Sequence, residues 1–170
     1  RPVSSAASDV YKRQVMGRDA GHIALNSGVA AGAEEILIPE ENLGLERLIQ
    51  SLKRSQKTGK SSSIVVVVEG DKTGENVFQL KEYVEKHLPN YDARVAVLGH
   101  MQRGGSPTCF DRVLASRFGV NAVESLINGD NCCMVGLQNN MIKLTPFKKA
   151  IKGTTKINTE LLKISDIMSI

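Results

Sequence analysis

Three short β-rich runs, Ile36–Ile38, Ile64–Val68 and Arg94–Leu98, stand apart from segments whose apolar residues recur every three or four positions. Leu43, Leu45, Leu48, Ile49 and Leu52 make one such stripe, and Val77, Leu80, Val84 and Leu88 make another. Apolar positions at this spacing predict amphipathic helices, whereas short β-branched runs predict strands. Their alternation predicts βαβ units, hence an α/β fold with a parallel sheet sandwiched between helical layers. The run IVVVV lacks polar alternation and is expected to be a central strand covered on both faces.

A further helix is expected to start at Ser106, with Pro107 in the first helical position where its missing N–H costs nothing, and to end near Gly129. Its apolar positions Phe110, Leu114, Phe118, Val123, Leu126 and Ile127 form a broad packing stripe. After Ile151 comes a Lys/Thr-rich link and a short amphipathic tail, Leu161 to Ile170. At the other end, residues 1–14 (RPVSSAASDVYKRQ) follow neither period and are expected to be a disordered, non-native leader.

Composition narrows the function classes. A chain of 170 residues, 41% hydrophobic and 24% charged, can bury a core of its own. The longest aliphatic run falls far short of the ~20 residues that span a bilayer, so no membrane role and a cytoplasmic location are expected. The net charge of +4 owes much to Arg1, Lys12 and Arg13 in the leader, and aromatics are only 4%. That combination argues against nucleic acid as a partner. Cys109, Cys132 and Cys133 have neither zinc-site nor disulfide spacing and are expected to be free buried thiols.

Candidate chemistry is densest in RVAVLGHMQRGGSPTCFDR, Arg94 to Arg112. A strand ending at Gly99 delivers His100, Gln102 and Arg103 to a sheet crevice, the usual ligand position in open α/β folds. Gly104 and Gly105 permit close backbone approach, and the helix that follows offers free amides, so the ensemble suits a phosphate. Upstream, Val15-Met16-Gly17-Arg18 and Gly21-His22 form a second loop of this kind.

The spacing of Arg94, Gly99-His100, Gln102-Arg103-Gly104-Gly105 and Asp111-Arg112, preceded by Met16-Gly17-Arg18, resembles the signature of the phosphofructokinase family. The resemblance runs over residues 15 to about 151 and includes AGAEEILIPE and VGLQNN. It is to the C-terminal half of bacterial ATP-dependent 6-phosphofructokinases, and implies an incomplete two-domain fold. Residues 15–103 would form most of a fructose 6-phosphate domain, residues 104–151 a piece of an otherwise missing ATP domain, and residues 152–170 a tail returning to the sugar domain. The stripe of the 104–151 piece would then present an exposed apolar face.

The resemblance further implies that Met16, Gly17, Arg18, Glu69, Arg94, His100, Met101, Gln102 and Arg103 bind fructose 6-phosphate. Arg18 would stabilise the transferred phosphoryl group, and Arg94 would act in the site of a neighbouring subunit of a homo-oligomer, a tetramer in the family. An allosteric nucleotide would meet Gly32, Glu34, Thr58 and Lys60, although Thr58 stands where some members carry Lys. The ATP loops, the Mg2+ ligand and the Thr-Ile-Asp-Asn-Asp segment with its general base are absent from this sequence. The position of another phosphate-binding Arg is taken by Asp9. The chain alone is therefore expected to be inactive. Two other readings stay open: a pyrophosphate-dependent homologue, and a non-catalytic sugar-phosphate or nucleotide sensor.

Overall fold

The computed structural model describes residues 8–41, 44–70, 77–153 and 156–168. Leu43 of the first helical stripe, the first seven residues of the expected leader and the last two of the tail lie outside the described residues. In chain order the elements are β1 (Ser8–Val15), α1 (His22–Ala31), β2 (Glu35–Leu37), α2 (Gly44–Lys57), β3 (Ser62–Val68), α3 (Val77–His87) and β4 (Tyr91–Val97). A 3-10 turn over His100–Arg103 follows, then α4 (Cys109–Ile127), β5 (Cys133–Gln138), β6 (Met141–Pro146), the single turn α5 (Phe147–Ala150) and α6 (Thr159–Met168). The chain divides into two compact units, residues 1–104 with 157–170, and residues 105–156.

The first unit is a four-stranded, all-parallel sheet in the order β2-β3-β1-β4. The valine run works for both faces. Val65 and Val67 pack with Leu48, Leu52, Leu80 and Val84 from α2 and α3, whereas Val66 and Val68 pack with Ala24 and Leu25 of α1. Leu161 and Leu162 of α6 close over that second cluster. Period-2 side-chain alternation thus divides one apolar strand between two cores, giving helix, sheet and helix layers. Gly28 is the close-contact point of α1, since a Cβ there would lie 2.5 Å from Ile36 Cδ1.

Residues 8–14 contradict the expected disordered leader: they form β1, the strand between β3 and β4. Its ladder runs from Asp9↔Ser62 to Val15↔Val68 on one side and from Ser8↔Tyr91 to Gln14↔Val97 on the other. The backbone pairs whatever the side chains are, and the side chains adapt. Val10 is buried, Arg13 is exposed, and Lys12, though fully buried, donates from Nζ to the Leu80 carbonyl at 2.6 Å. Burial pushes the Lys12 amine down to about 7; nearby Glu85 opposes this and Lys81 adds to it.

In the second unit, α4 accompanies the antiparallel hairpin β5–β6, in register from Cys133↔Pro146 to Gln138↔Met141. The start of α4 differs from the expected cap at Ser106. Thr108 is the N-cap: its Oγ1 accepts from Asp111 N–H, and the Asp111 carboxylate accepts from Thr108 N–H at 2.8 Å. This reciprocal box needs an acceptor side chain three residues on. Ser106 has Cys109 there, which cannot supply one. No residue of α4 is buried, and Phe110, Val113, Val120, Val123, Leu126 and Ile127 are all exposed.

Candidate functional site

Adjacent strands β1 and β3 send their chains to opposite faces, β1 toward α1 and β3 toward α3. A crevice therefore opens at their carboxyl ends. The loop after β1 enters it as Met16-Gly17-Arg18, and the residue after β3 is Glu69, whose N–H continues the ladder to Val15 O at 2.8 Å. On the far side, Leu98 N–H donates to Gln14 O at 3.0 Å as β4 ends, and the chain winds into the 3-10 turn.

These segments enclose a cleft of about 400 Å³. Met16, Gly17, Arg18, Glu69, His100, Gln102 and Arg103, all singled out in the sequence, line it together. The sequence reading missed Gln14, Val15, Val97 and Gly99, which line it as well. Gln14 escaped because it sits in the segment read as a leader, where no strand period marks it.

Local geometry explains how the groups converge. Residues 100 and 103 are three apart in a 3-10 turn, so their side chains share a face. Gln102 stitches the two loops together: its Oε1 accepts from Met16 N–H at 3.1 Å, and its own N–H donates to Gly99 O at 3.2 Å. Gly17 has φ 153°, and a Cβ there would lie 2.5 Å from Ala20 O, so only glycine makes this turn without moving backbone. Arg18 follows in the left-handed region at φ 48°. Among the described residues, Arg18, His100 and Arg103 form no ion pair with a carboxylate. Three basic groups against the single carboxylate of Glu69 make the cleft suited to an anion bearing hydroxyls.

Two expected residues stand apart. Met101 is 75% exposed and does not line the cleft, whereas its neighbours His100, Gln102 and Arg103 do. Arg94 lies earlier on β4, hydrogen-bonded to Asp92 at 3.1 Å, 3.8 Å from Asp9 and over the Tyr11 ring. Asp92 first, then Asp9, hold its guanidinium more firmly protonated than usual.

The expected nucleotide positions lie toward the amino ends of β2 and β3, opposite the cleft. Gly32 caps α1 with φ 64°. Glu34 is 6% exposed, and its carboxylate accepts from Ile64 N–H and lies 3.7 Å from Lys60 Nζ. Thr58 Oγ1 donates to Ser55 O at 2.9 Å. These contacts commit Glu34 to the fold. Among the described residues no group of three or more His, Cys, Asp or Glu is placed to hold a metal ion.

A family model described as phosphofructokinase matches residues 3–126. The chain is 45% identical to ATP-dependent 6-phosphofructokinase 1 of Thermus thermophilus and 39% identical to ATP-dependent 6-phosphofructokinase 2 of Bacteroides thetaiotaomicron. In both cases the match covers 100% of this chain and 52% of the relative, so the chain spans about half the length of these curated relatives. Among solved structures, Pichia pastoris phosphofructokinase in the T-state superposes with a TM-score of 0.80 at 27% identity, covering 99% of this chain and 20% of that one.

Proposed function

The chain belongs to the phosphofructokinase family, and from that premise we propose that its cleft is the fructose 6-phosphate half of a 6-phosphofructokinase site. The whole reaction moves the γ-phosphoryl of ATP to the sugar's 1-hydroxyl. One observation carries the reading: Met16-Gly17-Arg18, Glu69, His100 and Gln102-Arg103, drawn from three separate loops, line a single cleft at the carboxyl ends of β1, β3 and β4. The ATP-dependent relatives suggest the donor, and nothing in the cleft favours pyrophosphate over ATP.

In this reading His100 and Arg103 clasp the dianionic 6-phosphate, which a guanidinium binds through paired N–H donors. Glu69 accepts from sugar hydroxyls. Gln102 holds the Met16 amide and thereby fixes the loop that carries Arg18. Arg18 neutralises charge on the transferred phosphoryl, a reaction in which positioning and electrostatics do most of the work. Arg94, standing outside its own cleft, reaches the site of a neighbouring copy in an oligomer. ATP and Mg2+ belong to the complete enzyme, and no step here runs through them. Among the described residues no helix is long and apolar enough to cross a membrane, and a cytoplasmic setting fits a glycolytic activity.

Calorimetric titration of the chain with fructose 6-phosphate tests the proposal. Binding that weakens at least tenfold in Arg103→Ala, without turnover of ATP, is the expected result. Equal binding by wild type and Arg103→Ala refutes the assignment.

A further inference from the structure

The three thiols are not the buried, inert groups expected from the sequence. Cys109 and Cys132 are exposed and Cys133 is half-buried. Cys132 and Cys133 precede and begin β5, where consecutive side chains ordinarily point to opposite faces. Cys132 departs from that rule with φ 55°, in the left-handed region. As a result both cysteines line one cavity of about 300 Å³, walled mainly by apolar residues including Leu126, Val135, Leu144 and Phe147.

The backbone around the pair is pinned from several sides. Asp130 N–H donates to Ser125 O at 2.9 Å, Phe147 N–H donates to Cys132 O at 2.9 Å, and Cys133 pairs with Pro146 across the hairpin. Cys133 Sγ donates to Asn131 O at 3.2 Å. The two thiols are therefore held at one wall of an apolar hollow by a hydrogen-bonded frame, before any ligand arrives.

Their adjacency decides what they can hold. Consecutive Cα atoms are about 3.8 Å apart, whereas disulfides prefer about 4.4–6.8 Å, so direct S–S closure is disfavoured. A larger soft atom placed between the sulfurs relieves that constraint, and soft thiolates select soft partners. With only two sulfur ligands and no three-residue cluster among the described residues, tetrahedral zinc is poorly served. The apolar cavity meanwhile has room for a ring, since cavities of about 150 Å³ lined by aliphatic and aromatic side chains hold benzene.

We propose that Cys132 and Cys133 form a chelating dithiol site for aryl-substituted trivalent arsenic, with the aryl ring seated in the cavity lined by Leu126, Val135, Leu144 and Phe147. The step is condensation without redox change. Two S–H and two As–OH bonds break, two As–S bonds form, and two waters leave.

The test uses the full chain and phenylarsonous acid. Intact mass spectrometry should show one adduct, with a single thiol still open to alkylation, and a digest of the wild-type protein should place the arsenic on the peptide holding both cysteines. Cys132→Ser and Cys133→Ser should each lose at least tenfold in affinity, while Cys109→Ser should match wild type. Three alkylatable thiols after treatment, or an adduct surviving in both single variants, overturns the site. The cavity is tested separately with methylarsonous acid. The phenyl compound should bind at least tenfold tighter to the native chain and lose that advantage in urea; equal native affinities overturn the role of the cavity.

Discussion

Lys12 shows what a single residue costs when the backbone around it is fixed by pairing. Its amine is fully buried beside Val10 and Leu80, and it donates a hydrogen bond to the Leu80 carbonyl. With the folded value lowered to about 7 from 10.5, the unfolded chain binds more protons between those limits. Stability should therefore rise with pH across that window, by at most about 1.4 kcal/mol per pH unit, and stay flat below it. Lys12→Met should abolish the slope and raise the melting temperature at pH 7; parallel melts at pH 7 and 9.5 check this. At the cleft, Arg103→Ala and Arg18→Ala in an enzyme completed to its relatives' length should separate kinetically. The first should raise KM for the sugar phosphate and the second should mainly lower kcat, each by tenfold or more. The cleft residues were legible because glycines and basic groups at fixed spacing carry chemistry in their identity. Gln14 was illegible because it contributes through strand position alone, and Met101 stands outside the lining because only the three-dimensional turn decides which neighbours line the cleft.

Among the elements, those with a clean period were read correctly in kind, and the run Ile64–Val68 even revealed that β3 is covered on both faces. β1 was missed for a physical reason. Its sequence SDVYKRQV puts charged and polar groups where a central parallel strand would normally be apolar, and only pairing with β3 and β4 makes it a strand. The cap of α4 was misplaced by two residues because Ser106-Pro107 mimics a helix start, while the Thr108–Asp111 exchange provides the real one. The seat of α1 on β2 offers a test of packing at this scale. Gly28→Ala would put a methyl 2.5 Å from Ile36 Cδ1, within a core where Ile36 is 5% exposed. It should cost about 1–3 kcal/mol of stability, measurable by urea titration. No change would mean that Ile36 swings aside freely.

At the scale of the whole molecule, the second unit contributes little buried surface of its own. α4 runs for 19 residues without a buried side chain and displays Phe110, Val123, Leu126 and Ile127. An apolar face of this kind marks a contact surface, and the relatives are about twice as long as this chain. The isolated chain should bind an environment-sensitive hydrophobic dye and self-associate with rising concentration. Joining it to the other half of a relative's length should suppress both, as light scattering and dye fluorescence would report. The first unit is built differently, because its layers come from both sides of residues 105–156 in the chain. Arg47 bridges Glu35 of β2 and Asp166 of α6, and Leu161 and Leu162 finish the cluster over Val66 and Val68. During synthesis, then, this side of the sheet must wait for its last helix until the whole of the intervening unit has left the ribosome. The nascent sheet passes that interval with part of its greasy surface bare, a period in which a chaperone would find it.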